Sequence, residues 1–153
     1  MRMCDFVVRE AILPALGATT KEGVIRGMVE SLCQAGQVRA SEVEDIVRAI
    51  LKRELLGSTG IGKGIAIPHT KHASVEKLVA TVAVAPNGVA FDSLDGEPVY
   101  IFVLLVSPHT HPGPHLRALE IVSRTLRDEN FVRALRSSPT REAICALLDG
   151  HDR

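Results

Sequence analysis

With 153 residues, of which 46% are hydrophobic and 24% charged, the sequence is that of one ordinary globular domain spanning 1–153. Eighteen Lys and Arg residues offset eighteen Asp and Glu residues, and aromatic residues amount to 3% with no Trp. The chain therefore offers neither an excess of positive charge for a polyanion nor a platform for stacked bases, which argues against nucleic-acid binding.

A first amphipathic helix is predicted over about 20–35, because apolar residues recur there every three or four positions. Thr19 and Glu22 have the spacing of a capping box at its start. Gly36 is placed to end it.

A second helix is predicted after Ser41, whose partner at the third helical position is Glu44. Its apolar residues again follow the helical spacing, and the helix should end near Gly57. This end point places Arg53 in the last turns of the helix, just before a glycine-rich segment.

Three apolar segments in the middle of the chain are predicted to be strands: 64–67, 78–85 and 99–106. Turn residues separate them at 86–88 and 95–96. The two longer runs are apolar throughout rather than alternating. This pattern is typical of central strands that are covered on both faces.

The last third of the chain is predicted to be helical. Pro114 suits the first position of one helix, and a short apolar segment follows at 131–135. Ser138 is placed to cap a final helix that has Pro139 at its first position and ends at Gly150.

This order of helices and strands predicts an α/β fold. We expect a mixed sheet of about five strands with helices on both faces, forming a single-domain sandwich.

The longest apolar runs are eight residues, far short of the roughly 20 that a membrane-spanning helix needs. Charged residues interrupt the first sixteen positions, so no export signal is expected, and three widely spaced cysteines indicate reduced thiols. We therefore expect a cytoplasmic protein without direct membrane insertion.

The segment GSTGIGKG, residues 57–64, resembles a phosphate-binding loop with one change. Gly57 is followed by four residues and then by Gly62 and Lys63, but Gly64 stands where a Ser or Thr should bind magnesium. A helix precedes the segment and a strand-like stretch follows it, which is the reverse of the order that such a loop requires. We therefore do not predict an ATP or GTP site.

The glycines permit close approach of the backbone to a group at the end of the segment, where His69 stands. His69 follows an apolar strand and a proline. Two interpretations are open: a surface histidine in a loop, or a neutral imidazole that acts as a nucleophile. His72 is interpreted as a surface residue, and His151 as part of a solvated tail.

A second histidine-rich segment, SPHTHPGPH at 107–115, follows another apolar strand. His109, His111 and His115 could bind zinc, although the segment supplies no cysteine or carboxylate. Alternatively, His115 lies in the first turn of the next helix, where its N–H group and the helix N-terminus favour an anion.

Three stretches carry a family resemblance: LKRELLGSTGIGKGIAIPHTK (51–71), GVAFDSLDGEPVYIFVLLVSP (88–108) and HLRALEIVSRTL (115–126). Together they resemble the enzyme IIA proteins of the bacterial phosphoenolpyruvate-dependent phosphotransferase system. The class is the mannitol/fructose class, which includes the nitrogen-regulatory IIA proteins. The resemblance covers about 5–148 and implies the same mixed α/β sandwich.

The resemblance implies a phosphocarrier that accepts a phosphoryl group from HPr or a paralogue and then passes it to a IIB domain or uses it for regulation. His69 matches the phosphoryl acceptor, His115 the residue that stabilises the phosphoryl group, and Arg53 a charge-compensating arginine. No cofactor or metal is implied. The alternative is a metal-dependent enzyme or metal-binding protein that uses His109, His111 and His115. Without an attached IIB or membrane segment, we expect a regulatory role more than sugar uptake.

Overall fold

Residues 1–151, the part of the chain described by a computed structural model, form six helices and one mixed sheet. The helices are α1 (Met3–Phe6), α2 (Lys21–Gln34), α3 (Val43–Leu55), α4 (Pro112–Thr125), α5 (Glu129–Arg136) and α6 (Arg141–His151). The strands are β1 (Gly60–Gly62), β2 (Ile65–Ala66), β3 (His69–Lys71), β4 (Val79–Val89) and β5 (Val99–Ser107). None of these helices is long and apolar enough to cross a membrane.

Strand β5 lies at the centre of the sheet. The antiparallel strand β4 pairs along one of its edges, from Val79 opposite Val106 to Val89 opposite Val99. The short strands β2 and β3 pair in succession along its other edge, both parallel to it. Strand β1 extends the sheet beyond β2 in the antiparallel direction.

The N-terminal segment covers the outer edge of β4. Val7 and Leu13 form parallel bridges with Ala80 and Ala83, and the N–H of Leu16 donates to the carbonyl of Val84. The exposed edge of a long apolar strand invites pairing with other chains, so this cover protects the sheet.

Helices pack on both faces of the sheet and form two hydrophobic clusters. Alternate residues of β5 divide between them: Phe102, Leu104 and Val106 face α2 and α3, whereas Val103 and Leu105 face α4, α5 and α6. This arrangement confirms the predicted α/β sandwich with central strands that are buried on both faces.

The starts of the first two long helices differ from the prediction. Thr20, not Thr19, caps α2, since its hydroxyl accepts a hydrogen bond from the N–H of Gly23 at 3.0 Å. Ser41 lies in a 3-10 turn, Ala40–Glu42, and α3 begins after it without a side-chain cap. The predicted ends are confirmed, because Gly36 adopts a left-handed φ of 79° after α2 and α3 ends before Gly57.

The last helices also begin at other residues. Helix α4 begins at Pro112 rather than Pro114, and α6 begins at Arg141, where the hydroxyl of Thr140 accepts the N–H of Ala143. Ser138 instead donates to a carbonyl of α5. The predicted stop at Gly150 is wrong because α6 continues to His151. His151 is exposed, as predicted, although its ring also contacts that of Phe131.

His72 is buried, so its interpretation as a surface residue is wrong. It follows β3, and its Nε2 contacts a carboxylate oxygen of Asp45 in the first turn of α3. The backbone N–H of Ser74 donates to its Nδ1 at 3.1 Å, which leaves Nε2 as the nitrogen that carries hydrogen. The hydrogen bond from Nε2 of His72 to the carboxylate lowers the pKa of Asp45 and ties the end of β3 to the start of α3.

Gly60 allows the glycine-rich segment to pack closely against the loop before β5. A Cβ at this position would lie 2.5 Å from Oγ of Ser93 and 3.1 Å from its Cα and Cβ. The carbonyl of Gly60 also accepts the N–H of Leu94 at 3.0 Å, so the two segments are held in register. The position therefore requires glycine because of space.

We predict that Gly60→Ala lowers the free energy of unfolding by about 1–3 kcal/mol, the usual cost of overpacking. Adding Ser93→Gly, which removes Oγ and Cβ from the clash, should recover part of the loss relative to Ser93→Gly alone. Denaturant unfolding of the wild type, the two single variants and the double variant measures these free energies. Gly17→Ala is the control because no atom lies within 4 Å of the added Cβ. Equal losses at Gly17 and Gly60, or no recovery in the double variant, would contradict this packing.

We predict that Asp45→Asn lowers stability at pH 7 and that the difference from the wild type disappears in acid. The pKa of Asp45 is lowered in the folded chain from its ordinary value of 3.8, mainly by the hydrogen bond from His72. Its contribution is therefore complete above that value and is lost as the pH falls through the folded pKa. Denaturant midpoints from pH 7 down to about pH 2 test this, because the folded pKa lies below 3.8, with Glu76→Gln at an exposed site as the control. A stability difference between Asp45→Asn and the wild type that does not change with pH would count against a contribution from the Asp45 carboxylate.

Candidate functional site

Three elements bring the predicted site residues to one end of the sheet. Arg53 lies in the last turn of α3, His69 is the first residue of β3, and His115 lies in the first turn of α4. The rings of the two histidines are 5.6 Å apart between centroids and are tilted by 56°. Arg53 is near enough for its charge to act on His69. The predicted residues therefore form one cluster.

His69 is held in one tautomer by the backbone. Its Nδ1 lies 2.8 Å from the carbonyl oxygen of Ile67, and a carbonyl can only accept. Nδ1 therefore carries the hydrogen, and Nε2 keeps a free lone pair. Burial, with a further contribution from the positive charge of Arg53, lowers the pKa of His69. At neutral pH the side chain is thus an uncharged imidazole with nucleophilic Nε2. It lies in a strand and is half-buried, so the surface-loop interpretation is wrong.

His115 is more deeply buried, with 4% of its surface exposed. Its Nδ1 contacts the hydroxyl of Ser107, the last residue of β5. Burial, with smaller contributions from the nearby His69 and Lys71, lowers the pKa of His115 to about 4. The ring is therefore neutral at pH 7 and can donate one N–H.

The adjacent Arg53 and Glu54 have different positions. Arg53 donates to the carbonyl of Gly57 at 2.9 Å, which holds the guanidinium over the start of the glycine-rich segment. Glu54 is buried, forms an ion pair of 3.1 Å with Lys21, and accepts from the backbone N–H and the hydroxyl of Thr59. The arginine therefore stays available to the cluster, while the glutamate fixes the segment that leads to His69.

Sequence reasoning missed two contributors to this cluster. One is the carbonyl of Ile67, which a residue pattern cannot reveal. The other is Ser107, a polar residue at the end of an otherwise apolar strand and fully buried. A polar residue at the carboxyl end of a central strand is the signal that could have identified it.

The three histidines of the 107–115 segment do not form a metal site in the part of the chain described. His109 and His111 are exposed, whereas His115 is buried against the sheet. Within residues 1–151, the side chains close enough to share a cation belong to another cluster. The metal-dependent alternative is therefore not supported by the geometry.

That other cluster consists of Glu42, Asp45 and His72. The hydrogen bond from Ser74 to Nδ1 of His72 leaves the hydrogen on Nε2, the atom that faces Asp45. A cation at Nε2 would require the opposite tautomer. The cluster is thus built as a hydrogen-bonded link between α3 and β3.

Lys63 does not face the cluster as the lysine of a phosphate-binding loop would. It lies in the turn between β1 and β2 with φ of 58°, its side chain is 82% exposed, and its ammonium is 3.8 Å from Glu129. Its backbone N–H donates to the carboxylate of Asp95 at 2.9 Å. The segment is a hairpin turn rather than a strand-to-helix loop.

Comparisons with known proteins agree with this fold. The family model described as "Phosphoenolpyruvate-dependent sugar phosphotransferase system, EIIA 2" matches residues 5–151. A nitrogen regulatory protein of Bradyrhizobium diazoefficiens is 35% identical over 148 residues, which are 97% of this chain and 95% of that protein.

Two solved structures are similar over nearly the whole chain. The nitrogen regulatory protein IIA-Ntr of Neisseria meningitidis has a TM-score of 0.84 and 27% identity, covering 94% of this chain and 97% of the other. In the complex of enzyme IIAMTL with phosphorylated enzyme IIBMTL from Escherichia coli, the matching chain has a TM-score of 0.76 and 26% identity. The match covers 92% of this chain and 95% of the other. The chain belongs to the EIIA 2 family of the phosphoenolpyruvate-dependent sugar phosphotransferase system.

Proposed function

We propose that this chain is a phosphocarrier that takes a phosphoryl group from an HPr-type protein onto Nε2 of His69. The observation that carries the proposal is the hydrogen bond from Nδ1 of His69 to the carbonyl of Ile67, which directs the lone pair to Nε2. Membership of the EIIA 2 family supports phosphotransfer as the reaction class.

In the proposed step, the lone pair of Nε2 attacks phosphorus while the bond between phosphorus and the donor nitrogen breaks. The bonding electron pair returns to the donor imidazole. The ring of His69 gains positive character as the new bond forms. Because Nδ1–H already donates to the carbonyl of Ile67, that oxygen stabilises the charge without a proton leaving.

The negative charge on the phosphoryl oxygens needs compensation. The N–H of His115 and the guanidinium of Arg53 are both placed near His69, and the N-terminus of α4 adds a favourable dipole. One cation and one neutral donor stabilise the group moderately, which suits a carrier that must release it again. No metal ion or cofactor is required by this chemistry.

The proposed acceptor is a IIB domain or a regulatory partner. The complex of enzyme IIAMTL with phosphorylated enzyme IIBMTL supports the first, and the full-length similarity to a nitrogen regulatory protein supports the second. We favour the regulatory output because the match extends over 95% of that regulatory relative. Transfer assays with fructose or mannitol IIB components separate the two roles. The cytoplasmic location expected from the sequence remains a prediction.

We predict that the wild-type chain gains the mass of one acid-labile phosphoryl group when incubated with phosphoenolpyruvate, enzyme I and HPr. His69→Ala should abolish this gain because the nucleophile is lost, and it should leave the thermal unfolding transition cooperative, since the ring lies at the edge of the core. Intact mass measured without acid reports the result. His109→Ala, at an exposed position, is the matched control. Wild-type phosphorylation of His69→Ala would refute the assignment.

We predict that His115→Ala slows phosphoryl transfer by about 10²- to 10³-fold, the usual cost of losing a preorganised donor to a developing charge. The phosphoryl group should still be found on His69, with a changed lifetime. His109→Ala should have little effect, because that side chain is exposed and outside the cluster. Rapid-quench kinetics measure both rates. A phosphoryl group on His115, or equal slowing by the two variants, would contradict the division of roles.

A further inference from the structure

We propose that Ser107 is a positioning residue that fixes the tautomer of His115, so that Nε2–H rather than a lone pair is available to the phosphoryl group. This inference rests on the proposed function. The observation behind it is the contact between Oγ of Ser107 and Nδ1 of His115, two side chains that are both buried.

Two hydrogen arrangements are compatible with that contact. If the hydroxyl donates, Nδ1 accepts and Nε2 carries the hydrogen. If Nδ1–H donates, the hydroxyl hydrogen of Ser107 needs another acceptor. Among residues 1–151, His115 is the hydrogen-bond partner found for this hydroxyl, and Ser107 is fully buried. A buried donor without a partner is costly, so the first arrangement is favoured.

Separate rigid elements hold the two residues in contact. Ser107 ends β5, where it pairs with Lys71 of β3, and its carbonyl accepts the N–H of His72 at 2.9 Å. His115 belongs to α4, which is anchored through Ala118 and Val122 in the hydrophobic cluster on that face. The contact is therefore formed before any phosphoryl group arrives, as a preorganised site requires.

The two histidines of the cluster are thus held in opposite tautomers. The carbonyl of Ile67 can only accept, so it forces hydrogen onto Nδ1 of His69 and frees the Nε2 lone pair. The hydroxyl of Ser107 donates to Nδ1 of His115 and so places hydrogen on Nε2. One ring becomes the nucleophile and the other becomes the donor.

The wrong tautomer of His115 would oppose the reaction. A bare Nε2 would present a lone pair to the negatively charged phosphoryl oxygens. Before a phosphoryl group arrives, the pKa of His115 is about 4, so the ring carries a single hydrogen at neutral pH and its position matters. The hydroxyl of Ser107 therefore affects transfer through His115 and not through direct contact with the phosphoryl group.

The test combines Ser107→Ala, His115→Ala and the double variant with nitrogen NMR of the imidazole rings. In the wild type, we expect the His115 signals of a ring protonated at Nε2. Ser107→Ala should give a mixture of tautomers and slow transfer by about 10- to 100-fold, the range found for residues that orient metal-binding histidines through the same kind of hydrogen bond. In the His115→Ala background, the same change should cause no further slowing.

Ser107→Thr, which keeps the hydroxyl, should retain the wild-type tautomer, and this readout does not depend on the transfer rate. The inference is overturned if wild-type His115 is protonated at Nδ1, if Ser107→Ala leaves tautomer and rate unchanged, or if the slowing persists without His115. If the wild type accepts no phosphoryl group, the proposed function fails, whereas the NMR spectra still decide what Ser107 does to His115.

Discussion

The parallel pairing of β3 with the end of β5 is the contact on which the rest of the site depends. It places His69 opposite Leu105 and Lys71 opposite Ser107, so the proposed nucleophile and the residue that contacts His115 lie on neighbouring strands. The break between β2 and β3 exposes the carbonyl of Ile67 to the imidazole instead of to the sheet. A continuous strand would have left His69 without this fixed acceptor.

Burial and hydrogen bonding then determine the chemistry available at this sheet end. Both histidines are neutral at pH 7 because burial lowers the pKa of each, and Arg53 supplies the positive charge. In the proposed transfer, a neutral His69 attacks without first losing a proton, and a neutral His115 does not hold the phosphoryl group too tightly. The same balance distinguishes this site from a nucleotide loop, where a lysine and a magnesium ion compensate several phosphates.

Much of the fold could be predicted from sequence because its strongest signals are periodic. The uninterrupted apolar runs predicted β5 and most of β4, and helical spacing predicted α2 and α3. The turn predicted at 86–88 is wrong, because β4 continues through an irregularity there to Val89. Helix starts were less certain, since Thr19 and Thr20 are adjacent and both suit a cap. His72 was misassigned because its partner, Asp45, is 27 positions away and the contact exists only after folding. The tautomers of the site histidines depend in the same way on long-range contacts.

The proposal that Nε2 of His69 accepts the phosphoryl group is tested most directly by nitrogen and phosphorus NMR of that ring in the wild-type chain, before and after phosphorylation. Before phosphorylation, we predict hydrogen on Nδ1 and none on Nε2. After it, phosphorus should be bonded to Nε2 while Nδ1 keeps its hydrogen bond to the carbonyl of Ile67. Phosphorus bonded to Nδ1, or to any other side chain, would contradict the account.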